Sequence, residues 1–175
     1  MTIDVEQLEI VLYPHPTLRE VAAPVDDIND EIRAIAKRML KLMRQANGIG
    51  LAAPQVGLGI RMFVANWTGD ENDDKVYINP VLRSPGRQME EMKEGCLSLP
   101  GIEGSVRRPN SITIEAKDLN GNRFTETDRE LGARVWQHEF DHLDGVLIID
   151  KMPHLERLGS RAAIKDLERK FEEQA

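Results

Sequence analysis

The chain has 175 residues, 41% of them apolar and 30% charged, with one cysteine and a formal net charge of −7. This is enough chain for one domain with an ordinary core, which excludes intrinsic disorder, and a lone thiol excludes a disulfide scaffold. The acidic balance argues against general nucleic-acid binding, and no apolar run approaches a membrane span or a signal peptide. A cytoplasmic protein without DNA or membrane partners is therefore expected.

In chain order, Pro14, Pro16 and Pro24 break any regular helix in LYPHPTLREVAAPVDDI and predict an extended segment that wraps the domain. A helix is predicted over residues 29–46, where Ile32, Ile35, Ala36, Met39 and Met43 recur at helical spacing. Asn29 can cap its start, and Asn47-Gly48 can stop it. Short strands are predicted at 61–65 and 76–79. Residues 112–117 alternate apolar and polar side chains, and Asn120-Gly121 turns them into a hairpin with 123–127. Thr127 and Glu130 have capping-box spacing for a second helix, which Asp144-Gly145 ends. A last helix near 160–173 places Ile164, Leu167 and Phe171 on one side. This mixture lacks a βαβ rhythm and predicts an α+β fold. Small antiparallel or mixed sheets would pack around the second helix, in a single domain over residues 1–175.

That second helix carries His138-Glu139-Phe140-Asp141-His142. Residues four apart share a helix face, so both imidazoles can grip one ion. Leu131, Val135, His138 and His142 form one stripe, which turns the rings inward, where an unligated ring is costly. Glu139 lies one residue round and can take a proton from a water activated by the ion. A catalytic site usually has a third protein ligand. Cys96, in the shaped segment EGCLSLPG, is a better candidate than Glu156, although an inert buried cysteine is the alternative reading. His15 and His154, beside prolines, read as surface histidines. In GIGLAAPQVG, small residues permit close backbone approach, and Gln55 could donate to a developing oxyanion; a packed small-residue turn is the alternative.

Taken together, GIGLAAPQVG (48–57), EGCLSLPG (94–101) and QHEFDHLDG (137–145), in that order, resemble the peptide deformylase family. LYPHPTLREVAAPV and YINPVL (77–82) also look like that family, so the likeness spans roughly residues 10–150 and leaves a C-terminal helix of about 155–175 outside it. The resemblance implies that Cys96, His138 and His142 bind a divalent metal, natively Fe2+, with Zn2+, Ni2+ or Co2+ able to replace it in purified protein. It implies Glu139 as general base and then general acid, and Gln55 with the Leu97 backbone N–H as oxyanion donors. The reaction implied is hydrolysis of the N-formyl group from the initiator methionine of nascent peptides, releasing formate. Ile49, Leu131 and Val135, with the His138 ring, are candidates for the methionine slot, and Gly50 could pair its backbone with the extended peptide.

Further expectations concern the periphery. Arg108 is expected to brace Glu94 in the cysteine segment, as the family suggests. Family members often carry an arginine where this chain has Glu103, which reverses the charge near the residues that follow methionine. Arg157, Arg161, Lys165 and Arg169 form a basic stripe that could touch ribosomal RNA, against the plainer reading of a solvated face. Two rival functions remain at this level, an HExxH endopeptidase and a silent formyl-peptide binder. Cleavage of internal peptide bonds would mark the first, and absence of turnover the second.

Overall fold

A computed structural model describes residues 3–174 of the chain. Asn29 caps the first helix, its side-chain oxygen accepting from the Ile32 N–H at 3.0 Å, and α1 runs Asp30–Gln45. The helix buries Ile32, Ile35, Ala36, Met39, Leu42 and Met43, the apolar face its spacing predicts.

Five strands form the main sheet: β1 (Gly50–Ala52), β2 (Met62–Ala65), β3 (Lys75–Arg83) and, further on, β6 (Ser111–Lys117) and β7 (Arg123–Arg129). Their order is β1-β2-β3-β6-β7, and every neighbouring pair is antiparallel. A separate antiparallel pair, β4 (Met89–Gly95) and β5 (Glu103–Pro109), stands outside that sheet. The sheets are thus antiparallel rather than mixed, and the only parallel contact described is an isolated bridge between Ala23 and Ile60.

Strand β2 shows why its sequence is an unbroken apolar run. Met62 and Val64 join the α1 core, whereas Phe63 and Ala65 face Ala133 and Trp136 of α2 (Glu130–Leu143). A strand buried on both faces has no polar side to show. Val106 of β5 and Ile102, just before that strand, share one buried cluster with Ile148 and Ile149 of α3 (Ile148–Lys151) and with Leu167.

Three expectations need correction. Thr127 does not cap α2: it belongs to β7, and its Oγ1 lies 2.8 Å from Thr113 Oγ1 across the hairpin. The helix instead starts directly from the strand at Glu130, with no side-chain cap on Arg129. Asn79-Pro80 does not end β3, because a bulge between Ile78 and Val81 carries the strand on to Arg83. The helix predicted near 160–173 is found as α5 (Arg161–Gln174), but the stretch from 155 onward is not one helix, because a separate α4 (His154–Gly159) precedes it and the break falls at Ser160.

The proline-rich N-terminal segment wraps as expected, and it ties the three motif segments together. Val11 N–H donates to Gln55 O at 2.8 Å, Tyr13 N–H to Ser98 O at 2.9 Å, and Ala22 N–H to Leu143 O at 2.9 Å. Gly145, at φ +70°, ends α2, and a side chain there would strike Arg19 O at 2.6 Å. Glycine alone combines that conformation with so close an approach. Among the described residues, no helix is long and apolar enough to cross a membrane.

Candidate active site

The two histidines point from α2 toward the turn that follows β4. His142 Nε2 lies 3.3 Å from His138 Nε2 and 3.4 Å from Cys96 Sγ, and the ligand atoms of all three residues lie within 4.8 Å of one another. Tetrahedral coordination, with metal–nitrogen bonds of ~2.0 Å and metal–sulfur bonds of ~2.3 Å, separates ligand atoms by about 3.3–3.6 Å. Three lone-pair donors this close cannot all be satisfied by each other's protons, whereas one cation satisfies all three. The residues fit a metal. Glu156, the rejected rival ligand, instead accepts from the Ser105 N–H and hydroxyl.

Glu94 holds the His138 ring from behind. Its Oε2 lies 3.0 Å from His138 Nδ1, which orients Nε2 toward the sulfur. Arg108 grips Glu94 with two bonds, Nε to Oε1 at 2.6 Å and Nη2 to Oε2 at 2.9 Å, so the expected pairing exists and is buried. Sequence reading did not find two further partners. Arg134 Nη1 donates to Glu94 Oε1 at 2.7 Å, and Arg108 Nη1 donates to Asp141 Oδ2 at 2.7 Å. Burial works against the Glu94 charge, yet the bonds and charges of Arg108 and His138 hold its pKa far below the usual carboxylate range. Burial also opposes protonation of His138, but interactions with Cys96 and Glu94 raise its pKa. His142 is pushed down by burial and by the charge of His138.

A cavity of about 800 Å³ opens beside these ligands, and Ile49, Gly50, Gln55, Leu97, Leu131 and Val135 all line it. Val135 is buried, whereas Ile49 and Leu131 are each 42% exposed and flank the mouth; the stripe on α2 therefore reaches the surface at Leu131. Gln55 is buried, and its amide orientation is fixed. Oε1 accepts from Ala52 N–H at 2.9 Å, which leaves Nε2 to face Cys96 Sγ at 3.5 Å and Ser98 Oγ at 3.3 Å. Glu139 is 4% exposed and lines the same cavity, yet its Oε2 has no partner. A buried acceptor without a donor is costly unless something else is meant to meet it. Of the two other histidines, His15 Nδ1 accepts from Thr17 N–H within a short turn, and His154 is exposed.

The model of the family described as polypeptide deformylase matches residues 7–158. The chain belongs to that family. A peptide deformylase of Rhodopirellula baltica is 43% identical over 168 residues, covering 95% of this chain and 80% of that protein. The chloroplastic peptide deformylase 1B of Solanum lycopersicum is 40% identical over the same share of this chain, which spans 60% of that relative's length. The crystal structure of Arabidopsis thaliana peptide deformylase 1B, solved with an inhibitor, superposes with a TM-score of 0.91 at 38% identity. It covers 96% of this chain and 93% of that one. Deformylases are metalloenzymes that remove the N-formyl group from nascent peptides, and the antiparallel α+β fold with HExxH on its second long helix agrees with that membership.

Proposed function

We propose that this chain hydrolyses the formamide of N-formylmethionyl peptides, releasing formate, with Glu139 moving the proton. One observation carries the reading above the rest: Glu139 is a buried carboxylate with an unpartnered oxygen in the cavity that the three ligand residues border. Cys96, His138 and His142 would hold a divalent cation, ferrous iron by family likeness, with zinc, nickel or cobalt as substitutes. A cation there supplies Lewis acidity, acidifying water and polarising a carbonyl, although one thiolate leaves it less electrophilic than three neutral imidazoles would. That shortfall makes a strong general base necessary. Glu139 takes the proton of the attacking water and later gives it to the departing amine. Gln55 Nε2, oriented by the bond that Oε1 accepts from the Ala52 N–H, and the Leu97 N–H donate to the oxygen on which charge develops.

Ile49, Leu131 and Val135 border the slot for the methionine side chain, and this apolar lining supports the substrate class. Strand β1 pairs on one edge only, with β2, so Gly50 keeps a backbone edge for an extended peptide. The catalytic unit is a single domain over residues 1–175 that acts in the cytoplasm. α5 belongs to it, since Leu167 is buried in the core beneath β5. Ribosome contact through the C-terminal helices would fall to Arg157, Arg161 and Lys165, which are exposed, because Arg169 is engaged by Asp166 and Glu173. Cosedimentation with ribosomes that survives deletion of residues 157–175 would overturn that contact.

The test of the whole reading is Glu139→Ala in anaerobically prepared protein. Formate release from formyl-Met-Ala is expected to vanish while the bound cation remains. Full activity in that variant, or cleavage of internal peptide bonds by the parent, overturns it.

A further inference from the structure

We propose that Arg134 is a positioning residue for the metal centre, a clamp that sets the sulfur of Cys96 against the imidazole of His138. The inference rests on the metal-site reading above and extends it to a residue that is no ligand. Arg134 stands one helical turn before His138 on α2. Its side chain, 7% exposed, reaches three points on the β4–β5 pair: Glu94 Oε1 at 2.7 Å, Val106 O at 2.9 Å and Glu90 O at 2.9 Å. These points lie at both ends of β4 and in the middle of β5. Cys96 follows β4 directly, with only Gly95 between it and Glu94.

The need for such a clamp follows from the topology. The sulfur is carried by a two-stranded pair that hydrogen-bonds to no other strand, and an isolated pair of that kind is marginally stable alone. Both imidazoles are carried by a helix seated on the main sheet. No strand pairing joins the two bodies, and the backbone bonds that do, from Glu130 N–H to Asn110 O and through the N-terminal strap at Ser98 and Leu143, leave the Glu94 end of β4 to be held by side chains. Arg108 also meets both bodies, but it does so through carboxylates, Glu94 and Asp141. From α2, Gln137 Nε2 also donates to a β5 carbonyl, Pro109 O at 2.9 Å, but Arg134 binds one carbonyl on each strand of the pair and does so while sharing the carboxylate that orients His138. A planar guanidinium can satisfy a carboxylate and two carbonyls from one position; an ammonium on a flexible stem cannot hold the same three.

The experiment uses the full chain loaded with cobalt(II), whose sulfur-to-metal charge-transfer absorption reports the Cys96 bond independently of turnover. Arg134→Met is expected to weaken or shift that band and to speed cobalt loss to a chelator by about tenfold or more, the scale on which partners of metal ligands act. Arg134→Lys should recover only part of both. Arg134→Gln serves if the Met variant does not fold, with the same expectation. Ile35→Val, in the α1-side core that contains no α2 residue, controls for general loss of stability and should leave band and release unchanged. An Arg134 variant with the parent's band and release rate overturns the clamp, as does an equal change in Ile35→Val. Absence of any thiolate band in the parent would instead defeat the metal-site reading itself.

Discussion

Glu139 rests against the bare α-carbon of Gly50: a side-chain carbon at position 50 would stand 2.3 Å from Glu139 Oε1. Strand β1 and the carboxylate therefore occupy one space that only glycine leaves open. In Gly50→Ala the carboxylate or the strand must move by about an ångström, and a displacement of that size costs about 100-fold in rate. kcat for formate release should fall accordingly with the cation content per chain unchanged. A variant as fast as the parent would separate Glu139 from the chemistry.

Burial lifts the Glu139 carboxyl to about 7, against the pull of the His138 charge. A base must be ionised to accept a proton, so activity is lost as pH falls and not as it rises. A cation on the neighbouring ligands favours the carboxylate and moves the loss to lower pH. The acid limb of kcat/KM should thus lie at or below about 7. The residual activity of Glu139→Gln should lack that limb; its persistence would assign the ionisation elsewhere.

Glu94 has its pKa depressed in the folded chain, so its contribution to stability is present above the ordinary value of 4.5 and disappears as pH falls toward the folded value. Removing Arg108 leaves two buried or half-buried carboxylates short of a partner. Arg108→Ala should lose about 3–5 kcal/mol at neutral pH by denaturant unfolding. The gap between variant and parent should narrow as pH drops below 4.5. A gap that widens in acid contradicts the assignment.

Glu103 is exposed at the cavity mouth, paired with Gly95 across β5 and β4. It should favour formyl-Met peptides whose next residues include lysine over those with glutamate. The preference should be modest, about two- to fivefold in kcat/KM, because exposed charges are well screened. Glu103→Arg should invert it, and about 0.5 M salt should erase it. Turnover of formyl-Met-Ala should stay the same in both forms. Equal rates on both peptide classes would remove Glu103 from selectivity.

What the sequence disclosed follows from the range of the interactions involved. The face of α1, its Asn29 cap and the Asn120-Gly121 hairpin are settled within a few residues, and each is found where expected. The His138 and His142 spacing is equally local. The β4–β5 pair went unread because β4 is MEEMKEG and β5 is EGSVRRP, whose charges mask the single buried alternation of Gly104, Val106 and Arg108. The capping box failed because Thr127 met Thr113, a partner supplied by a neighbouring strand. Arg134 and Asp141 looked like ordinary charged helix positions. Their partners Glu94 and Arg108 lie far away in the chain, and nothing in local spacing announces a buried ionic cluster.

The N-terminal strap has a temporal consequence. Its anchors at Gln55, Ser98 and Leu143 are distributed over most of the polypeptide that comes after it. During synthesis, the strap cannot close over all three until the helix bearing both imidazoles has left the ribosome. A segment made ahead of all three of its anchors is therefore among the last to be fully seated.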